Sequence, residues 1–231
     1  MTTDRQAIRD AATIVLWRNG PEGPEVVMGQ RGAAAAFMPN KFVFPGGAVD
    51  REDAAVPLAA PINQACARRL ADHLRPEATI LAPQTTLAVT AIRELWEETG
   101  LKLARPAPWP GATPASDWAP LADEGLLPDA SGLRFVFRAI TPPGRPRRFD
   151  ARFFLADVSG IVGDADDFSG AQDELAALQW IPVRKVRSFD LPFITEVVMA
   201  EISHLSEHGE TAGGVPFFDN SGPVSVFRRI A

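Results

Sequence analysis

The chain has 231 residues and a formal net charge of −6, with a sequence pI near 5.1. That length suits one large domain with a substantial core, and the acidic balance argues against non-specific nucleic-acid binding, which draws on many phosphate contacts. Hydrophobic residues at 46% and charged residues at 23% exclude wholesale disorder. The single cysteine, Cys66, cannot make an intramolecular disulfide and suits a reducing cytoplasm, residues 1–12 do not read as a secretory leader, and no apolar run reaches membrane-spanning length.

In chain order, residues 11–18 are apolar and β-branched enough for a buried strand, and the turn Asn19-Gly20-Pro21-Glu22-Gly23 leads back into a second strand at 25–30, making a hairpin. A loop over 31–40 precedes a short strand at 41–44, which enters a turn at Pro45-Gly46-Gly47. Residues 62–74, rich in Ala, Leu and Arg and set between Pro61 and Pro76, predict a helix. Thr85 or Thr86 then caps a longer helix running to Thr99, with Gly100 where a left-handed C-cap belongs, and residues 101–103 begin another strand.

Pro106, Pro108, Pro110, Pro114, Pro120 and Pro128 forbid regular helix in the next stretch, which reads as an ordered loop pinned by Trp109 and Trp118. Strands at 134–141 and 148–158 form a hairpin across Pro142-Pro143-Gly144, and 178–182 is the last short strand. Asp190 caps a C-terminal helix over about 190–208, with Pro192 in its first turn, Gly209 beyond its end, and Ile194, Val198, Ile202 and Leu205 on one face.

The longer helix carries the chemistry. At about 100° per residue, Glu94, Glu97 and Glu98 share one arc while Ala88, Val89, Ile92, Leu95 and Trp96 face the other way. Glu94 and Glu98 are a like-charge i,i+4 pair, which costs a bare helix roughly a few tenths of a kcal/mol. Only Glu98 has a basic residue at the compensating position, Lys102. A hard divalent cation bound through oxygen would remove the repulsion. The competing reading is a solvated acidic face. Against it stand the adjacent Arg93 and the upstream glycines, a residue type used where the backbone takes positive φ or must approach a phosphate closely.

Taken with Phe44-Pro45-Gly46-Gly47, the segment Arg93-Glu94-Leu95-Trp96-Glu97-Glu98-Thr99-Gly100-Leu101 resembles the Nudix box, Gly-x5-Glu-x7-Arg-Glu-U-x-Glu-Glu-x-Gly-U, where U is bulky and apolar. The second half matches at every fixed position. In the first half, Asp53 stands where the family has Glu, and residues 54–92 separate it from Arg93 where the pattern allows seven. The resemblance covers residues 10 to 185. It implies an α/β fold, the Nudix-type α/β/α sandwich with a mixed central sheet, here as a single domain over 1–231 with insertions at about 54–85 and 104–131.

The resemblance further implies hydrolysis of the diphosphate bond in a nucleoside diphosphate linked to another moiety. Glu94, Glu97 and Glu98 would hold Mg²⁺ or Mn²⁺, Arg93 would orient the carboxylates, and the backbone at Gly46 and Gly47 would lie beside metal and substrate. The general base belongs to the box in some members and in others to a loop Glu before the last strand, where Glu174 stands here, with Asp173 beside it.

The string Arg148-Phe149-Asp150-Ala151-Arg152-Phe153-Phe154, Gln30-Arg31 followed by Phe37, and the insertion inside the box look like the subgroup related to mammalian coenzyme A and acyl-coenzyme A diphosphatases. The subgroup's Leu-Leu-Thr-x-Arg-Ser start is only loosely met, by Val26-Val27-Met28-Gly29-Gln30-Arg31-Gly32. Coenzyme A carries an extra phosphate, which the basic stretch Arg145, Arg147, Arg148, Arg152 could bind, so Arg31, Arg148 and Arg152 join Gly46 and Gly47 as expected substrate contacts. Alternating Arg and Phe also fits the two faces of any strand. An ADP-sugar, a dinucleotide, a nucleoside triphosphate or a non-catalytic ligand-sensing module stay open as alternatives, as does a homodimer. Neither a nucleic-acid nor a membrane partner is expected.

Overall fold

The computed structural model describes residues 7–35, 37–111, 117–209 and 213–231. Strands β1 (Ile8–Gly20) and β2 (Gly23–Arg31) make the expected antiparallel hairpin. Its turn is tighter than the sequence suggests, because Asn19 and Gly20 stay in the ladder and Gly23 closes the reversal at φ 103°. Strand β3 (Phe42–Val43) pairs with β2, and β4 (Gly46–Ala48) pairs with β1. Gly46 and Gly47 are therefore strand rather than turn, after a bend at Pro45, and neither has positive φ.

Helix α1 (Gln64–Ala71) is shorter than the predicted 62–74, because Asn63 caps it by accepting from the Cys66 amide at 2.9 Å. Helix α2 (Pro83–Thr99) begins ahead of the expected threonine caps. Pro83 fills the first position, where a missing N–H costs nothing, and the Thr86 hydroxyl donates to the Leu81 carbonyl at 2.5 Å. Gly100 ends α2 in the left-handed region, at φ 78°.

The proline-rich stretch is more regular than expected. Strand β5 (Lys102–Pro106) pairs with β6 (Leu126–Pro128), and between them helix α3 (Ala119–Asp123) accommodates Pro120 in its first turn. The tryptophans do pin it, since the buried Trp118 lies 5.8 Å from Trp96 and 6.5 Å from Trp109, ring centre to ring centre. Pro114 lies outside the described residues.

Strands β7 (Arg134–Ile140) and β8 (Arg148–Asp157) form the expected hairpin, followed by β9 (Ile161–Val162) and β10 (Leu175–Pro182). Helix α4 (Phe193–His208) starts after Pro192 without a side-chain cap; Asp190 instead accepts from Lys41 at 2.5 Å. Two further strands, β11 (Val215–Asp219) and β12 (Val226–Ile230), correct the expectation that the last strand lies at 178–182.

The main sheet runs β10-β2-β1-β8-β7-β11-β12 and is mixed, with β1 parallel to β8 and antiparallel to β2. Alternation along β1 sends Ala12, Ile14 and Leu16 into the core shared with α1 and α2, and Val15 into the core under α4. Helices thus cover both faces of the sheet.

An ion cluster ties the first insertion to this sheet. Asp10 lies opposite Asp150 across β1 and β8, and Arg138 opposite Arg152 across β7 and β8. These like-charge cross-strand pairs are neutralised diagonally. Asp150 accepts from Arg138 at 2.8 and 2.7 Å, Arg152 donates to Asp10 at 2.6 Å, and Arg75, from the insertion, donates to Asp150 at 2.9 Å. Burial alone would raise the Asp150 carboxyl; the Arg138 hydrogen bonds and the charges of Arg152 and Arg138 outweigh it and hold it below the usual range. Asp150→Ala strands buried guanidinium groups, so urea denaturation should register a loss of about 3–5 kcal/mol. The wild-type contribution of Asp150 is present above its unfolded value near 3.8 and is lost as pH falls below it.

Candidate active site

Helix α2 packs on β1 and β4, and this places its acidic arc under protein rather than in water. Glu98 is 2% exposed and Glu94 8%, with Glu97 part-buried, so the solvated-face reading does not hold. The two glycines make room for them. The Gly46 amide donates to Glu98 Oε2 at 2.9 Å, while Glu98 Oε1 is buried without a hydrogen-bond partner among the described residues. A Cβ on Gly47 would lie 2.3 Å from Glu94 Oε1, and one on Gly46 would lie 2.6 Å from Thr13 Oγ1. Proximity, not backbone conformation, requires glycine here.

Arg93 is the hub of the arc. Its Nη1 donates to Glu94 Oε1 at 2.8 Å and Glu97 Oε2 at 3.0 Å, and its Nη2 to the Ala48 carbonyl at 3.0 Å. Asp53 takes the remaining fork, accepting from Nε at 2.9 Å and Nη2 at 3.1 Å. Asp53 is itself buried and fixed by the Thr90 hydroxyl at 2.7 Å and the Asp50 amide at 2.9 Å. The shorter acid at the altered box position therefore clamps the arginine that aims the carboxylates. Lys102 does not compensate Glu98, because it is paired with Glu124 at 2.5 Å.

Burial dominates the electrostatics. It pushes the Glu94 carboxyl up to about 7, with the charges of Glu97 and Glu174 adding to it and Arg93 opposing. Glu98 is raised well above the usual range by burial and then by Glu94, and Glu97 is raised by burial against the pull of Arg93. Among the described residues no three Asp, Glu, His or Cys side chains converge into a ready-made metal cage. Glu94 and Glu97 turn toward Arg93, and Glu98 toward the Gly46 amide. The set nevertheless fits a hard divalent cation: every donor is oxygen, negative charge is in surplus, and the buried Glu98 Oε1 lacks a hydrogen-bond partner among the described residues.

No family model matches the chain. A solved NUDIX hydrolase from Alicyclobacillus acidocaldarius is 31% identical to it and superposes with a TM-score of 0.60, covering 88% of this chain and 93% of that one. The chain belongs to the Nudix hydrolase family. "Putative nudix hydrolase 7" of Caenorhabditis elegans is 29% identical over 184 residues, 75% of this chain and 51% of that protein. Acyl-coenzyme A diphosphatase NUDT19 of Gallus gallus is 27% identical over 205 residues, 64% of this chain and 54% of that protein. This Nudix chain spans about half the length of these curated relatives.

Within this Nudix fold, Arg93, Glu94, Glu97, Glu98, Gly46 and Gly47 come together, and Glu174 stands near enough for its charge to act on Glu94 and Glu98. Arg31 meets Glu174, donating to it at 2.8 Å. Arg148 and Arg152, also expected at the substrate, have protein partners in the fold. Arg148 donates to the Thr141 and Asn220 carbonyls at 3.0 and 2.8 Å, and Arg152 Nη1 belongs to the buried ion cluster, so both residues help hold strands together, while Arg152 Nη2 has no hydrogen-bond partner among the described residues. The Arg and Phe alternation on β8 could not reveal this, because the counter-ions lie on other strands. Asp53 was visible as the altered box acid, but its bond to Arg93 spans the insertion.

At Gly47→Ala the new methyl would displace the Glu94 carboxylate without touching the core. Turnover should fall on the order of a hundredfold while the melting temperature stays close to wild type. The pH dependence follows from Glu94, whose folded value of about 7 exceeds its ordinary 4.5. Metal-free stability from this group is full below 4.5 and is lost as pH rises through about 7. Denaturation in chelator between pH 5 and 8 should show that decline, and a flat profile would contradict the burial argument.

Proposed function

We propose that this chain hydrolyses the diphosphate bond of a nucleoside diphosphate linked to a second moiety, with Mg²⁺ or Mn²⁺ held by Glu94, Glu97 and Glu98, and with coenzyme A or an acyl-coenzyme A as substrate. The observation that carries the reaction is the buried pair Glu94 and Glu98, raised carboxyls set against side-chain-free backbone at Gly46 and Gly47. Buried carboxylates so short of positive charge favour uptake of a cation or a proton. The coenzyme A assignment rests on likeness to the avian acyl-coenzyme A diphosphatase, and on the box-spanning insertion. A reducing cytoplasm suits the free, buried Cys66.

A bound divalent cation would neutralise phosphate charge and acidify a water. This chain's residues do the rest. Arg93 and its clamp Asp53 keep Glu94 and Glu97 aimed, the Gly46 amide holds Glu98, and the glycine backbone admits a phosphate close by. Attack of water on phosphorus breaks one P–O bond of the anhydride and releases a proton. Glu174 is our choice of acceptor, since its exposed carboxylate lies on a loop fastened to α2 and acts by its charge on Glu94 without belonging to the arc.

Coenzyme A, acyl-coenzyme A, ADP-ribose, a dinucleotide and nucleoside triphosphates should be compared with Mg²⁺ and with Mn²⁺, and the products identified. Cleavage of coenzyme A species into adenosine bisphosphate and a phosphopantetheine product is expected. Faster hydrolysis of a nucleotide sugar would move the substrate while leaving the reaction class intact. Glu98→Gln should cut turnover on the order of a hundredfold or more and abolish the heat of Mn²⁺ binding in calorimetry; full activity in that variant would remove the metal assignment.

A further inference from the structure

Glu174 lies on the loop between β9 and β10, and its side chain is 55% exposed, so nothing about its own position in the chain keeps it beside the acidic helix α2. The loop is fastened to α2 instead. Gly170 abuts Gly100 so tightly that a Cβ on Gly100 would fall 2.9 Å from the Gly170 Cα, and the Gln172 amide donates to the Glu97 carbonyl at 2.8 Å. Beyond Glu174 the chain enters β10, where Leu175 stands opposite Arg31 of β2.

That register delivers the Arg31 guanidinium to the acid beside Leu175. Arg31 Nη2 donates to Glu174 Oε1 at 2.8 Å, and the arginine is far less exposed than its partner, at 19%. Among the described residues its Nε is buried without a hydrogen-bond partner, as is Glu98 Oε1. Arg31 is also close enough to Glu98 for its charge to favour the ionised carboxylate. One guanidinium, fixed by a ladder position, thus pairs with the loop acid and acts through its charge on the buried Glu98. An ion pair with so exposed a carboxylate adds little to stability, and what it does supply is one orientation for a side chain that otherwise has several.

We propose that Arg31 is a positioning residue that holds Glu174 beside the acidic helix α2, rather than a direct ligand of the substrate phosphates. The proposal rests on the diphosphatase reading above. It differs from the expectation that Arg31 binds substrate, and the two make opposite kinetic predictions.

The test is a double-mutant cycle of Arg31→Ala and Glu174→Gln, with kcat and KM measured on the best substrate from the screen and melting temperatures taken for each variant. Arg31→Ala should lower kcat by about ten- to a hundredfold with KM almost unchanged. The double variant should be no slower than Glu174→Gln alone, because residues acting as one unit are not additive. Arg31→Lys should recover part of kcat, as an ammonium can still reach a single carboxylate oxygen, and it serves in place of the alanine variant if that fails to fold. A raised KM with kcat intact, effects that multiply, or a Glu174→Gln enzyme as fast as wild type would each overturn the proposal. Failure of the diphosphatase reading itself would look different: wild type with Mg²⁺ or Mn²⁺ would cleave none of the substrates.

Discussion

Everything at the site depends on carboxylates buried with too little positive charge around them. Glu94 and Glu98 are covered because β4 has no side chains where it crosses α2, and among the described residues Arg93 supplies the one guanidinium hydrogen-bonded to the arc. That guanidinium is shared with Asp53, so its charge is divided among more acids than it can balance. The result is a set of carboxyls raised by burial and held in fixed orientations, which is the electrostatic condition for taking up a hard cation.

The same logic with the opposite outcome operates in the ion cluster between the sheet and the first insertion. There Arg138, Arg152 and Arg75 meet Asp10, Asp150 and Glu77, and the Asp150 carboxyl is held low rather than raised. Two clusters of buried charge therefore share one face of the sheet and differ in balance. The balanced one fastens strands and insertion together, while the acidic one stores unmet coordination. The insertions reinforce the arrangement by meeting each other, with the Ala59 amide donating to the Pro128 carbonyl at 2.8 Å.

Local pattern made much of the fold legible. The hairpins at β1–β2 and β7–β8 follow from apolar runs punctuated by Gly and Pro, and the end of α2 follows from Gly100 in the left-handed region. Local pattern misled where a competing local choice won. Thr85 and Thr86 look like caps, yet Pro83 starts α2 earlier, and Asp190 looks like a cap, yet it pairs with Lys41 across the chain. The β11–β12 hairpin went unseen because each strand is five residues long and its ladder is completed by β7, far upstream.

The sequence by itself determined the chemistry of α2: a 3.6-residue period and the order Arg93, Glu94, Glu97, Glu98 place three acids on one arc beside one arginine, whatever surrounds them. Which other residues serve that arc was decided only by tertiary structure. Asp53 reaches Arg93 across the insertion, Glu174 arrives on a loop fastened to α2, and Arg31 is aimed by the register of β2 against β10. Arg148 and Arg152 have the right charge, yet Arg148 donates to the Thr141 and Asn220 carbonyls and Arg152 Nη1 to Asp10, with Arg152 buried at 1% exposure. Charge is a property of a residue, but availability depends on which partners the fold brings within hydrogen-bonding distance, and those partners are remote in sequence.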